Sequence, residues 1–221
     1  FETTHLNVPG IFTNDNQIIL TIQEDPSGLL WIGTDGAGVF KLDLKQKKFK
    51  NISYDNIQKN LFRSTHITSV YIDPFNKLWI GSKAGGIFYS TNGQVFKEYK
   101  TREKGEVQNI PFLYQCRAFL QVDKYLWVAT DKGLIRILNE KNKVGSYDIY
   151  LPNNNDTNSI VGNKLYTLAQ DAEGKIWIGT QENGLSYITG FNKQNQPIFQ
   201  NYLPNYGVKG ALQNERVSCM L

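Results

Sequence analysis

The chain has 221 residues, 40% of them hydrophobic, enough to fill an ordinary core, and this excludes a disordered chain. Lys and Arg number 24 against 20 Asp and Glu, a formal net charge of +4 with no dense basic run, too mild a balance for a nucleic-acid partner. No stretch approaches the roughly 18 apolar residues of a membrane helix, and Phe1 opens the chain without a basic-then-apolar leader, so any signal or anchor is expected to lie outside it.

Cys116 and Cys219 are the two cysteines, with no Cys-x-x-Cys and no histidine nearby, so no zinc site, disulfide framework or cofactor is implied. Aromatic residues make up 13% of the chain, with 19 Gly and one Met, a profile that favours strands. All four tryptophans fall in a repeat, at Trp31, Trp79, Trp127 and Trp177, spaced 48, 48 and 50 residues apart. Each opens a short motif of Trp, a β-branched residue, a tiny residue and a hydroxyl: Trp31-Ile32-Gly33-Thr34, Trp79-Ile80-Gly81-Ser82, Trp127-Val128-Ala129-Thr130 and Trp177-Ile178-Gly179-Thr180.

In chain order, residues 1–6 resemble the last strand of a repeat, and residues 18–55, 66–101, 116–151 and 164–203 each read as four strands. The first strand of each ends at Asp25, Asp73, Asp123 or Asp171. A tight turn follows, two residues shorter in the third repeat, and then comes the Trp strand. A glycine and a third alternating run come next, as in Gly38-Val39-Phe40, and a fourth aromatic run such as Phe96-Lys97-Glu98-Tyr99 closes the unit. Residues 217–221 resemble a first strand again. Four antiparallel strands in about 48 residues make a propeller blade, so the fold class is an all-β propeller. The chain starts and stops in mid-blade, which is expected of an arc of a larger ring, with a closed ring holding a two-stranded fifth blade as the rival.

Alternation along a strand puts each Trp on the same face as the Gly or Ala two residues later, so neighbouring blades can interlock. Trp31, Trp79, Trp127 and Trp177, with Gly33, Gly81 and Gly179, are accordingly read as core. The recurring Asp25, Asp73, Asp123 and Asp171 head tight turns, where Asp bonds its own backbone. They are read as structural and not as metal ligands or acid/base groups.

The stretch from Gln23 to Thr34, followed by Gly36-Ala37-Gly38-Val39, resembles the repeat of the two-component regulator propeller family, and the stretch from Gln170 to Thr180 is nearly as similar. The third repeat departs most, with its short turn and Ala129 for Gly. The resemblance implies the extracytoplasmic sensor region of a Bacteroidetes-type hybrid histidine kinase, a seven-bladed ring, and a periplasmic location. It also implies a following immunoglobulin-like domain, a homodimeric receptor, and recognition of oligosaccharide breakdown products relayed across the membrane to a kinase outside this chain.

A propeller gathers its ligand-binding loops at one face, where strands two and three join and where blades succeed one another. Here these loops carry Asp35, Lys83, Asp131, Gln181 and Glu182 in the first set and His66 in the second, a mixture suited to a hydroxyl-rich or anionic sugar. Arg117 reads as occupying an inner-strand position that Ile19, Ile67, Leu165 and Val217 hold elsewhere, and Tyr166, at the next position of another inner strand, is placed to stack on a sugar. No triad or phosphate cradle is present, so the segment is read as non-catalytic. The alternatives are a protein-interaction scaffold and, less favoured, a propeller lyase resembling streptogramin lyase, for which His66 is the candidate.

Overall fold

The structure, a computed structural model, describes residues 18–52, 64–84, 86–103, 106–109, 114–209 and 211–220. These residues form strands and no helix, arranged as four four-stranded antiparallel sheets, each in simple sequential order. The first sheet contains β1 (Ile18–Glu24), β2 (Leu29–Asp35), β3 (Val39–Asp43) and β4 (Lys48–Asn51). The second contains β5 (Ile67–Ile72), β6 (Leu78–Ser82), β7 (Ile87–Ser90) and β8 (Lys97–Glu98). A two-stranded ribbon follows, β9 (Lys100–Glu103) with β10 (Glu106–Asn109). The third sheet contains β11 (Cys116–Val122), β12 (Tyr125–Thr130), β13 (Gly133–Glu140) and β14 (Lys143–Tyr150). The fourth contains β15 (Leu165–Gln170), β16 (Ile176–Thr180), β17 (Leu185–Phe191) and β18 (Pro197–Tyr202). Two compact units result, one carrying the first two sheets and the other the ribbon and the last two. The expected outer strand at 1–6 lies outside the described residues.

The register explains the Trp motif. Each indole lies opposite one residue of the third strand, Lys41, Tyr89, Arg136 or Tyr187, and that side chain covers an indole face. Lys41 Nζ sits 5.2 Å from the Trp31 ring centre, Tyr89 stacks at 5.2 Å on Trp79, and Tyr187 packs at 4.6 Å on Trp177. Trp31, Trp79 and Trp127 are buried, while Trp177 is partly exposed beside Tyr187 and Tyr202.

Two residues on, the glycine is required by what packs over it. A Cβ at Gly33 would meet Thr21 Cγ2 at 2.6 Å and Ile67 Cγ2, from the next sheet, at 2.8 Å. A Cβ at Gly179 would meet Thr167 Cγ2 and the Val217 carbonyl, both at 2.6 Å. The hydroxyl that ends the motif closes the next turn: Thr34, Thr130 and Thr180 are fully buried and donate to the carbonyls of Gly38, Gly133 and Gly184 at 2.9, 2.7 and 2.8 Å. Those glycines have φ of 85°, 124° and 85°, in the left-handed region where a side chain is strained.

The recurring aspartates turn out to clamp the hairpins. Asp25 Oδ1 accepts from the Ser27 and Leu29 amides, and its Oδ2 accepts the Trp31 indole N–H at 3.0 Å. Asp73 does the same for Phe75, Lys77 and Trp79, and Asp171 for Lys175 and Trp177, its indole bond being 2.7 Å. Burial pushes the Asp25 carboxyl up, but the bonds from Ser27, Trp31 and Leu29 outweigh it and hold the group below its usual value. For Asp171 the indole bond from Trp177 is the largest cause of a shift in the same direction.

The third sheet departs from this pattern. Val122 pairs with Tyr125 around a two-residue turn in which Asp123 has φ of 51°. Counted from the residue opposite each Trp, Val122 and not Asp123 stands where Asp25 stands, and the turn is one residue shorter than its counterparts, not two. Asp123 therefore makes no indole bond; the hairpin is held by Gln121, which donates to the carbonyls of Asp123 and Asn139 at 2.7 and 3.2 Å.

The same count moves Arg117. Ile19, Ile67, Cys116 and Leu165 occupy the equivalent first-strand position, and a bulge follows each, so that Leu20, Thr68, Arg117 and Tyr166 are the bulged residues. Arg117 thus corresponds to Tyr166, not to Leu165, because the shorter hairpin shifts the frame.

Residues 217–220 do not form the expected strand. Val217 N–H nonetheless donates to the Thr180 carbonyl at 2.9 Å, and the residue covers Gly179 as Ile67 covers Gly33.

Candidate functional site

The candidate residues cluster where strands two and three join, and that end of each sheet is pinned by backbone. The positive-φ glycines reach across to the segment that follows their own sheet: Gly38 N–H donates to the Thr65 carbonyl, Gly133 to Asn163 and Gly184 to Glu215, at 2.7 to 2.8 Å. Each loop is thus held from within by a threonine hydroxyl and from outside by that segment, a rigid mount for side chains.

In the first unit the structure brings Asp35, His66 and Lys83 together. Asp35 ends β2, His66 bridges to it just before β5, and His66 Nδ1 hydrogen bonds to Asp35 Oδ1. That bond, with a smaller contribution from the Lys83 charge, holds the Asp35 carboxyl below its usual value. Both side chains are about a third to a half exposed, at 32% and 44%, so the pair is available to solvent and to a ligand.

In the second unit the bulges matter more. Arg117 lies with its guanidinium carbon 4.2 Å from the centre of the Tyr166 ring, and Arg216 approaches the same ring at 4.9 Å. Arg117 Nη2 donates to Gln115 Oε1 at 2.9 Å, and no carboxylate pairs with either guanidinium among the described residues. Arg216 reaches Tyr166 because the segment after the fourth sheet folds back over this end.

The remaining candidates are already engaged. Asp131 Oδ1 accepts the Gln115 amide at 2.8 Å and so fixes the lead-in that carries Arg117. Glu182 pairs with Lys164 at 2.8 Å, both about half exposed, a pair of little energetic weight. Gln181 donates its backbone N–H to the Lys164 carbonyl. Among the described residues no three His, Cys, Asp or Glu side chains gather into a metal-binding group.

Residues 14–36 and 159–182 match the family model of the two component regulator propeller. These two segments are similar to the two-component regulator propeller repeat. The two matched segments hold the Trp31 and Trp177 motifs. Among solved structures, the propeller is similar to the extracellular domain of a protein named as a hybrid two-component system from B. thetaiotaomicron, at 25% identity and a TM-score of 0.63, over 86% of this chain and 23% of that one. A second extracellular domain from B. thetaiotaomicron, named as that of a one component system, matches at 18% identity and a TM-score of 0.60, over 88% of this chain and 23% of that one. A gluconolactonase from Xanthomonas campestris shares the fold at 8% identity and a TM-score of 0.52, over 84% of this chain and 62% of its own. The chain thus spans about a quarter of each of these two extracellular domains. No curated protein matches it.

Proposed function

We propose that this propeller is the ligand-sensing part of an extracytoplasmic receptor of the hybrid two-component kind. In this reading it is non-catalytic, faces the periplasm, binds oligosaccharide breakdown products, and passes the signal to a kinase outside the chain. The observation that carries this reading is the Arg117, Tyr166 and Arg216 assembly: an aromatic ring flanked by two guanidiniums free of carboxylates, mounted on a pinned loop end. Such a group offers a stacking surface and donors to sugar hydroxyls or acidic substituents. The similarity to an extracellular two-component domain supplies the receptor context.

Further blades, an immunoglobulin-like domain and a second receptor copy are the partners that fit this reading. Ile18, Ile19, Leu20 and Ile22 of β1 are between 44% and 58% exposed, a concentration of apolar surface that another blade would cover. No helix among the described residues is long and apolar enough to cross a membrane.

Isothermal calorimetry of the full extracytoplasmic region against neutral and acidic oligosaccharides tests the proposal. Binding without turnover, weakened at least tenfold by Arg117→Ala, is the expected result. Binding indifferent to that change removes the site from this assembly, and no binding to any glycan overturns the sensor reading.

A further inference from the structure

The hairpin end of the second unit, away from Arg117, contains a groove of about 580 Å³ between the third and fourth sheets. Its origin is traceable. The turn at Asp123 and Lys124 is short, and Val122 replaces the aspartate that elsewhere reaches across the indole, so space opens beside Trp127. In the first unit the corresponding space, next to Trp31, is about 200 Å³. There the turn at Thr91, Asn92 and Gly93 closes in, with Gly93 so near that a Cβ would lie 2.9 Å from Trp31 Cζ2.

The groove has an apolar floor of Val122, Tyr125, Trp127, Ile176, Ile188 and Phe191. Phe191 is 47% exposed and lies 6.5 Å from the Trp127 ring, so part of its surface faces the opening. The floor is stiffened from behind by Arg136, 3% exposed, whose Nη2 pairs with Asp148 at 2.7 Å and whose Nη1 donates to the Asn195 carbonyl at 2.9 Å. The same guanidinium lies 4.7 Å from the Tyr125 ring and 5.8 Å from Phe191, holding both platforms in place. Around the rim Lys124 and Lys175 are matched by Asp123 and Glu173, and Thr189 and Asn195 add neutral groups.

We propose that this groove is a second ligand site, for a neutral ring compound with one apolar face and a hydroxylated edge, of which a pyranose unit of a saccharide is the type. The volume suits one or two such rings. Aromatic faces receive the apolar side, the mixed rim serves the hydroxyls, and the charge balance gives no preference for an ion. The site stands apart from the one proposed above, at the opposite end of the same sheets, and does not depend on it.

Gly190 gives a clean test. A Cβ there meets nothing within 4 Å, so a side chain can enter the groove without disturbing the sheet. Of the four indoles, three donate to aspartates, and Trp127 has no such partner among the described residues, which marks its N–H as a distinct NMR reporter, assignable through Trp127→Phe. The full chain is titrated with cellobiose, maltose, xylobiose and chitobiose at millimolar concentration. At least one sugar is expected to shift the Trp127 signal, with Phe191→Ala weakening binding about tenfold, Gly190→Leu abolishing it at an unchanged melting temperature, and Arg117→Ala leaving it intact. A shift that survives Gly190→Leu, or that Arg117→Ala removes, overturns the site. No shift with any sugar, or a response to p-cresol alone, overturns the ligand class.

Discussion

The second and third sheets build the same hairpin from different parts. In the second, Asp73 accepts two turn amides and the Trp79 indole through one carboxylate, so a single residue ties turn to core. In the third, that position is Val122, the turn is held by the Gln121 and Asn139 amides, and the indole is covered by a buried arginine within a ring of aromatics. The repeat therefore preserves the place of the indole and not the bond that holds it. Burying the ring contributes the larger share of the stability, and either a carboxylate clamp or a guanidinium lid can orient it. Where the clamp is absent the space beside the indole widens into a groove.

The largest effect that bears on this comparison is removal of the indole itself. Trp79→Ala and Trp127→Ala are each expected to cost about 3 to 5 kcal/mol in chemical denaturation, alike despite their different clamps. A markedly smaller loss at Trp127 would show that its burial counts for less than the structure indicates. Next comes the blade contact: Gly33→Ala forces a methyl to within 2.6 Å of Thr21 and should lose roughly 1 to 3 kcal/mol, whereas Ala129 already fills the equivalent site in the third sheet.

Asp73→Ala separates the two hairpins directly. It removes the carboxylate bond to a buried indole and should cost about 2 kcal/mol, while Asp123→Ala, with no indole to lose, should change the unfolding free energy by less than about 0.5 kcal/mol. Equal effects would mean that Asp73 acts through the turn alone.

The smallest effect is one of pH. Asp25 and Asp171 have folded-state values below the ordinary carboxylate value of 3.8, so each protonates more readily in the unfolded chain. Their contribution is complete above that value and is lost as pH falls through the lower folded values. Denaturation midpoints should therefore fall as the pH drops below about 4, and the fall should be shallower in the Asp25→Asn and Asp171→Asn double variant. An unchanged slope would assign the acid sensitivity to other carboxylates.

The repeat, the four strands of each sheet and the burial of Trp31, Trp79 and Trp127 were legible from spacing, because a pleated strand alternates its faces and a tight turn needs Asp and Gly at set offsets; the β9–β10 ribbon, the missing strand at 217–220 and the partial exposure of Trp177 were not. The role of the terminal hydroxyl, buried under Gly38, Gly133 and Gly184, was visible as a pattern but not as a bond. Arg117 was placed one residue out of register, because counting back from Asp123 assumes a turn of fixed architecture, whereas pairing is set by the ladder that ends at Val122 and Tyr125. Local periodicity can be read in the chain, since propensity, alternation and turn chemistry act over a few residues. That Arg117 and Arg216 share one Tyr166 ring, and that Val122, Ile188 and Phe191 surround one groove, follows from the packing of distant segments. Those neighbours come from segments tens of residues apart, and their approach depends on how sheet packs on sheet.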